Sequence, residues 1–316
     1  MKFLITGGMG FLGSHFSEKL LNNGHEVCAI DLYENKSLDY LNDWDSYTPI
    51  IDSIHHENIV NKLIDSSDVV MHLAAIAEPE QYVKYPRKTI DINLRASLNI
   101  LDRVVATDKI FFYSSTSEIY GKNISQPFSE DSDRVLGSTS VNRWCYSTSK
   151  SMVEHYCRAL KQDGILNFVG IRVFNCYGPR LGGRVIAKFL DRIVSEEPLI
   201  IHGDGAQQRC YTYVDDLLDA SIKLITDKST HGDFYNIGNP KEEYSVKELA
   251  KIMLDVAGKE DYPVEHVDRS AYGNSYEDPD RRVPDISKIQ KSIDWSPKID
   301  IYEGLSKMFK YLNIDK

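Results

Sequence analysis

Short runs rich in β-branched and aromatic residues recur through the first half of the chain: KFLIT (2–6), EVCAI (26–30), VVMHL (69–73), KIFFY (109–113) and NFVGIRV (167–173). Between them, near 11–23, 88–106 and 147–163, apolar positions return every three or four residues. The first pattern predicts strands and the second predicts amphipathic helices. Strands that are apolar throughout, each followed by a helix, predict a parallel sheet covered on both faces, the doubly wound α/β class.

After Gly178-Pro179 the rhythm loosens. A helical pattern over 184–195 leads to the polar turn HGDGAQQ, a second helical stretch over 214–226, the strand-like FYNIG (234–238) and the amphipathic run SVKELAKIMLDVAG. With 316 residues the chain exceeds the size at which one core stops growing, so a second, smaller mixed α/β lobe is expected. No linker-like or low-complexity segment divides the halves, so the lobes should share chain segments.

Charge narrows the partners. Lys plus Arg number 37 against 47 Asp plus Glu, a net charge of −10 that repels phosphate backbones and anionic lipid, so neither nucleic acid nor membrane is expected. The opening MKFLITGG meets glycines at once, without a charged region followed by a long apolar one, which leads to the expectation of a cytoplasmic protein. Cys28, Cys145, Cys157, Cys176 and Cys210 are scattered without CxxC spacing, so reduced thiols are expected, and His55-His56 lack metal-ligand spacing, so no metal is expected.

The glycines raise the first chemical question. Gly7, Gly10 and Gly13, with Gly8 beside them, stand between the first strand and the first helix as GxxGxxG. A helix N-terminus there offers unpaired N–H groups to a pyrophosphate, although the cluster alone is equally compatible with a tight turn. Asp31, 18 residues after Gly13 at the end of the second strand, adds a carboxylate suited to a ribose diol and hostile to a 2′-phosphate. Leu32-Tyr33 supply no arginine for that phosphate, so the reading is NAD rather than NADP.

Tyr146 and Lys150 lie at i,i+4 in CYSTSK, one turn apart on a predicted helix. A tyrosine ionises near pH 10, so half-ionisation at neutral pH needs about 4 kcal/mol of differential stabilisation. A lysine ammonium and an oxidised nicotinamide could supply it, making Tyr146 the base that takes a hydroxyl proton as hydride leaves the same carbon. YxxxK alone is a weak pattern; following a dinucleotide fingerprint, it carries more weight.

With these residues together, the chain resembles the extended short-chain dehydrogenase/reductases that modify nucleotide sugars. HLAA (72–75), INLRASLNIL (92–101), RVFNCYGPR (172–180), HGDGAQQRCYTYVDD (202–216) and YNIGNP (235–240) look like blocks of that family. The resemblance implies a Rossmann domain over 1–173 with a return segment at about 211–238, and a nucleotide-sugar lobe over 174–210 and 239–316. It implies cofactor contacts at Gly7, Gly10, Phe11, Leu12, Gly13, Asp31, Asp52, Ser53, Leu73, Ala74 and Ala75, besides Tyr146 and Lys150. Ser53 departs from the Ile commoner at its position. A homodimer formed by the helices at 88–106 and 147–163 is also implied.

Within the family, Thr116 of STSEIYG takes the place of the hydroxyl that completes a triad with Tyr146 and Lys150. The next two residues look like a subtype switch. Sugar 4,6-dehydratases resemble Asp-Glu there, whereas this chain has Ser117-Glu118, and serine is a poor proton donor to a departing oxygen. STSE, AIAEPEQY (75–82), VNRWCYSTSK (141–150) and YEDPDRRVPDISK (276–288) instead resemble the UDP-glucuronate decarboxylases, including the decarboxylase domain of the bifunctional enzyme that makes aminoarabinose for lipid A.

This resemblance implies oxidation of a glucuronosyl C4, loss of carbon dioxide from the resulting β-keto acid, and either UDP-xylose or the 4-keto pentose as product. Arg282 matches the arginine that engages the sugar carboxylate, with Arg281 beside it as a competitor. Glu118 either orders Arg282 or a water and handles a proton, or only pairs with Arg282 to hold the site's shape. Tyr82 and Tyr276 match positions near the sugar; Asn175, Arg184, Lys188 and Arg209 match positions that hold the diphosphate and uridine. Trp144, Trp295 and the 19 tyrosines read as packing. The alternatives are a nucleotide-sugar 4-epimerase or atypical dehydratase and, from another class, a non-catalytic NAD sensor, which has no need to keep Thr116, Tyr146 and Lys150 together.

Overall fold

The computed structural model describes residues 1–259, 261–268 and 277–312. Its first half runs β1 (Lys2–Thr6), α1 (Phe11–Asn22), β2 (Glu26–Asp31), β3 (Tyr47–Ile51), α2 (Glu57–Asp65), β4 (Val69–His72), α3 (Pro79–Lys84), α4 (Pro86–Ile90), α5 (Ser97–Thr107), β5 (Ile110–Thr116), α6 (Trp144–Gln162) and β6 (Asn167–Val173). The second half runs β7 (Cys176–Tyr177), α7 (Val185–Val194), β8 (Leu199–His202), β9 (Gln208–Cys210), β10 (Thr212–Tyr213), α8 (Val214–Thr226), β11 (Asp233–Ile237), β12 (Glu243–Ser245), α9 (Val246–Ala257), β13 (Val264–Val267), β14 (Arg281–Arg282), α10 (Ser287–Ile293) and α11 (Ile301–Tyr311).

Seven parallel strands form the central sheet in the order β11-β6-β5-β4-β1-β2-β3. The doubly wound class read from the sequence is the one observed. The strands of the centre are buried almost residue by residue, from Phe3, Leu4 and Ile5 to Phe111, Phe112 and Tyr113, as a sheet covered on both faces requires. β11 returns to this sheet beside β6, so the chain leaves it after β6 and comes back. Helix–sheet packing builds separate apolar cores on the two faces: Leu4, Val70 and Phe111 join one, while Phe3, Ile5 and Phe112 join the other.

β3 is an element the apolar pattern did not disclose. Pro49 interrupts its sequence YTPII and its residues are largely exposed, which an edge strand tolerates and a central one does not. The helix expected over 88–106 is likewise not uniform. It is α4, a π-helical stretch over Asp91–Ala96, and α5. In the wide turn, the Asn93 amide clasps the backbone of Ile76, accepting from its N–H at 2.8 Å and donating to its carbonyl at 2.9 Å.

Beyond the main sheet, β9 pairs antiparallel with β12 and parallel with β14, placing Arg282 in register with Arg209. This small sheet brings the last part of the chain to the ends of β5 and β6. No described helix is long and apolar enough to cross a membrane.

Candidate active site

The first crossover is built for close approach. Gly7 takes φ +69°, and a Cβ on it would lie 2.8 Å from the Ala74 nitrogen. A Cβ on Gly13 would fall 2.1 Å from the Gly7 carbonyl oxygen, so α1 packs against the turn only because that position is glycine. The Gly8 N–H donates to the Ile30 carbonyl, which ties the turn to the end of β2. There the Asp31 carboxylate accepts from the Met9 N–H at 3.0 Å and the Leu32 N–H at 2.7 Å, held at the rim with lone pairs to spare.

These residues open on a cavity of about 650 Å³. Gly7, Gly10, Phe11, Leu12, Gly13 and Asp31 line it from one side, Asp52 and Ser53 from the next strand's end, and Leu73, Ala74 and Ala75 from the end of β4. Thr116, Ser117, Glu118, Tyr146 and Lys150 line its inner end. A glycine turn at a helix N-terminus, a fixed carboxylate and small side chains between them fit a dinucleotide.

The inner end comes from one strand and one helix. β5 continues past its apolar run through Ser114, Ser115 and Thr116, then breaks into a tight turn over Ser117–Tyr120, in which the Glu118 N–H donates to the Thr116 hydroxyl at 3.2 Å. The same hydroxyl hydrogen-bonds the Tyr146 phenol. Burial pushes that phenol up from its ordinary value, against the opposing effects of Arg184, Thr116 and Arg282. Lys150 donates to the Ser114 carbonyl at 2.8 Å and lies over the Tyr113 ring; burial lowers it to about 7 despite nearby Glu154. Thr116, Tyr146 and Lys150 thus meet at the sheet's end. Within the chain, burial outweighs the neighbours that favour the phenolate. Tyr82 is buried and stacked on Tyr146, ring centroids 4.9 Å apart and 9° from parallel, behind the phenol rather than on the cavity wall.

A second cavity, of about 780 Å³, adjoins the first. Glu118, Asn175, Arg184 and Arg282 line both, and Arg143, Lys188, Arg209 and Asp278 line the second. Alternation along β14 separates the two candidate arginines. Arg281 faces outward and pairs with Glu243, while Arg282, 3% exposed, faces inward and donates to Glu118 Oε1 at 2.8 Å. Burial alone would raise Glu118, yet Arg143, whose Nη2 donates to Glu118 Oε2 at 2.8 Å, and Arg282 hold it down to about 2. The Nε and Nη2 atoms of Arg282 are buried without a hydrogen-bond partner among the described residues. Arg282 lines both cavities, and its guanidinium charge there suits an incoming anion.

Asn175 takes a positive φ of 36°, a conformation asparagine tolerates, and its amide donates to the Cys210 carbonyl. Arg184 precedes α7, and Lys188, one turn on, pairs with Glu80. Tyr276 lies outside the described residues. Two residues the sequence reading did not single out belong to the site: Arg143 and Asp278. Arg143 could have been found from its place three residues before Tyr146, one helical turn away. Asp278 stands among the acids of YEDPD, where spacing alone marks none of them.

A Rossmann sheet with a glycine turn at its first crossover and a Thr–Tyr–Lys group at its strand ends defines an NAD-dependent enzyme of the short-chain dehydrogenase class. The family model described as NAD dependent epimerase/dehydratase family matches residues 3–238. The chain belongs to that family. It is 33% identical over 313 residues, 98% of this chain and 96% of the relative, to a UDP-N-acetyl-alpha-D-glucosaminuronate decarboxylase of Bacillus cytotoxicus. It is 32% identical to UDP-glucuronic acid decarboxylase 1 of Arabidopsis thaliana, over 98% of this chain and 69% of that protein. Among solved structures it is similar to a UDP-glucuronic acid 4-epimerase from Bacillus cereus in complex with UDP-glucuronic acid and NAD, with a TM-score of 0.88, 26% identity and 99% of each chain covered.

Proposed function

We propose that the protein decarboxylates a UDP-linked hexuronic acid, UDP-glucuronate in the first instance, through a 4-keto intermediate. One observation carries the reading: Arg282 lines both cavities, and its buried guanidinium has two nitrogens without a hydrogen-bond partner among the described residues, beside a carboxylate already engaged by two arginines. An anionic sugar carboxyl offers that guanidinium two charged acceptor oxygens, whereas a hydroxymethyl group offers one neutral oxygen. The decarboxylase relatives support the same reading.

Gly7, Gly10, Phe11, Leu12, Gly13, Asp31, Asp52, Ser53, Leu73, Ala74 and Ala75 would hold NAD, which when bound accepts hydride from the sugar C4 and can return it. Tyr146 takes the C4 hydroxyl proton, with Thr116 donating to the phenolate and Lys150 supplying charge behind it. The ketone then stands β to the C6 carboxylate. The bond from C5 to the carboxylate breaks, its electron pair passes toward the C4 oxygen, and Tyr146 and Thr116 stabilise that oxygen. Arg282 orients the carboxylate before carbon dioxide leaves, and a water held beside it delivers the proton to C5, the hydroxide left behind taking up a proton from solvent.

Glu118, held ionised by two guanidiniums, serves as the anchor of Arg282 in this scheme, and Ser117 lines the wall next to it. Asn175, Arg184, Lys188 and Arg209 would take the diphosphate and uridine. Tyr82 would act through the Tyr146 ring it stacks on, and Tyr276 would approach the sugar.

The division into a cofactor domain over 1–173 with a return at about 211–238 and a substrate lobe over 174–210 and 239–316 is part of this proposal. So are a cytoplasmic location and a homodimer. For the dimer, support comes from exposed Tyr85, Ile90 and Met152 on the α4 and α6 surface.

The test is to incubate the protein with NAD and UDP-glucuronate, and in parallel with its 2-acetamido counterpart, and to follow product mass and NADH absorbance. A product lighter by carbon dioxide supports the reading. Stoichiometric NADH with that product identifies the 4-keto pentose, and its absence identifies the pentose. Isomerised substrate of unchanged mass would establish the epimerase instead.

A further inference from the structure

The two carboxylates and three arginines around Glu118 form a string of alternating charge. Arg282 Nη1 reaches Glu118 Oε1 at 2.8 Å, Glu118 Oε2 meets Arg143 Nη2 at 2.8 Å, Arg143 Nη2 meets Asp278 Oδ1 at 3.2 Å, and Asp278 Oδ1 meets Arg209 Nη2 at 3.0 Å. Its ends are the residues already given to the sugar carboxyl and the diphosphate. Arg143 is the middle link and 2% exposed, at the residue before α6, with its guanidinium over the Trp144 ring. From there its guanidinium reaches Glu118 at the end of β5 and Asp278 ahead of β14.

We infer that Arg143 is a positioning residue that locks Glu118 as a carboxylate and, through Asp278, couples the group that engages the sugar acid to the group that engages the diphosphate. The physical basis is the geometry of two shared acceptors. A carboxylate wedged between two guanidiniums cannot turn without abandoning one of them, and leaving either charge buried and alone is strongly unfavourable. Each end is therefore fixed by the other. It follows that Glu118 orients Arg282 and takes no proton, so the Arg143 link decides between the roles open to Glu118 from sequence. The groups facing Glu118 are Arg143, Arg282, Arg209 and Tyr146, and of these Arg143 and Arg282 contact it directly. The ends of the string take their names from the proposed decarboxylation, but the coupling is testable without it.

Cutting the middle link should be felt at both ends. Arg143→Met removes a positive neighbour of Glu118, so the Glu118 carboxyl should titrate at least one pH unit higher, read as a protonated-carboxyl infrared band on acidification that is missing when Glu118→Gln is added. Arg143→Lys, which keeps the charge and loses the fork, should return most of that shift. Arg143→Met also leaves Asp278 to Arg209 alone, so free UDP, measured by calorimetry, should bind about three- to tenfold more weakly, and in an Asp278→Asn background the same substitution should change UDP affinity by less than about twofold. NAD affinity reports that each variant is folded, and Arg143→Gln, likewise uncharged, carries the test if Arg143→Met does not fold. An unmoved Glu118 titration in Arg143→Met, unchanged UDP binding in Arg143→Met, or a loss of UDP affinity that persists in the Asp278→Asn background overturns the coupling. Both shifts in a protein that releases no carbon dioxide would uphold it and remove the decarboxylase reading alone.

Discussion

The two cavities that meet at Glu118 are made differently. The cofactor side is built from backbone and small residues at consecutive strand ends, with Gly7 and Gly13 setting its shape and Asp31 as its fixed carboxylate. The second cavity, the proposed substrate side, is built from charge, with Arg143, Arg184, Arg209, Arg282 and Lys188 set against Glu118 and Asp278 on its wall. One end selects by how closely a ligand can approach and the other by which charges it can satisfy. A family can therefore keep the first and change its chemistry at the second, as neighbours named for epimerisation and decarboxylation suggest.

Breaking the junction between the two should have the largest effect. Tyr146→Phe removes the proton acceptor and should lower kcat by about a thousandfold, with no NADH formed in a single turnover. NAD and UDP should bind as before, which titration calorimetry checks. Breaking the shape of the cofactor side should cost less: Gly13→Ala forces its Cβ against the Gly7 carbonyl and should weaken NAD binding about 10- to 100-fold, leaving UDP affinity within twofold.

The pH profile sharpens the comparison most gently. Lys150 is lowered to about 7 by burial while Tyr146 is raised, so the pair loses its first proton near neutrality, and the deprotonated pair includes the phenolate form the reaction needs. A group that must be deprotonated makes kcat/KM fall with acidity. The profile should therefore drop about tenfold per pH unit below about 7, and Lys150→Met should move the limb to higher pH. Glu118, already ionised down to about 2, should add no limb between pH 5 and 9.

The cofactor side was legible in the sequence because its parts are local. A strand, a turn, a helix and the next strand's last residue lie within about thirty positions, and apolar runs such as EVCAI mark the strands. Where local pattern and burial part company the reading failed: β3 carries Pro49 and little apolar alternation, yet its place at the sheet's edge makes both tolerable. The substrate side was legible only in its ends. Arg282 and Arg209 stood in recognisable stretches, but their juxtaposition depends on the register of β14 with β9. Arg143 and Asp278 lie 135 positions apart and become partners only through that folding. Residue types in sequence announce charges, whereas which charges share a carboxylate is decided by tertiary pairing.

The central claim is that the oxidisable carbon and the carboxylate of one sugar occupy the two sides of this junction. The direct test supplies UDP-glucuronate, and separately its 2-acetamido counterpart, labelled with carbon-13 at C6, to the protein with NAD and follows the label by NMR. The account predicts that with one of these sugars the label leaves as bicarbonate and carbon dioxide at the rate the sugar is consumed, and that Tyr146→Phe stops the release. Label retained in an epimerised or unchanged sugar with both substrates would contradict it.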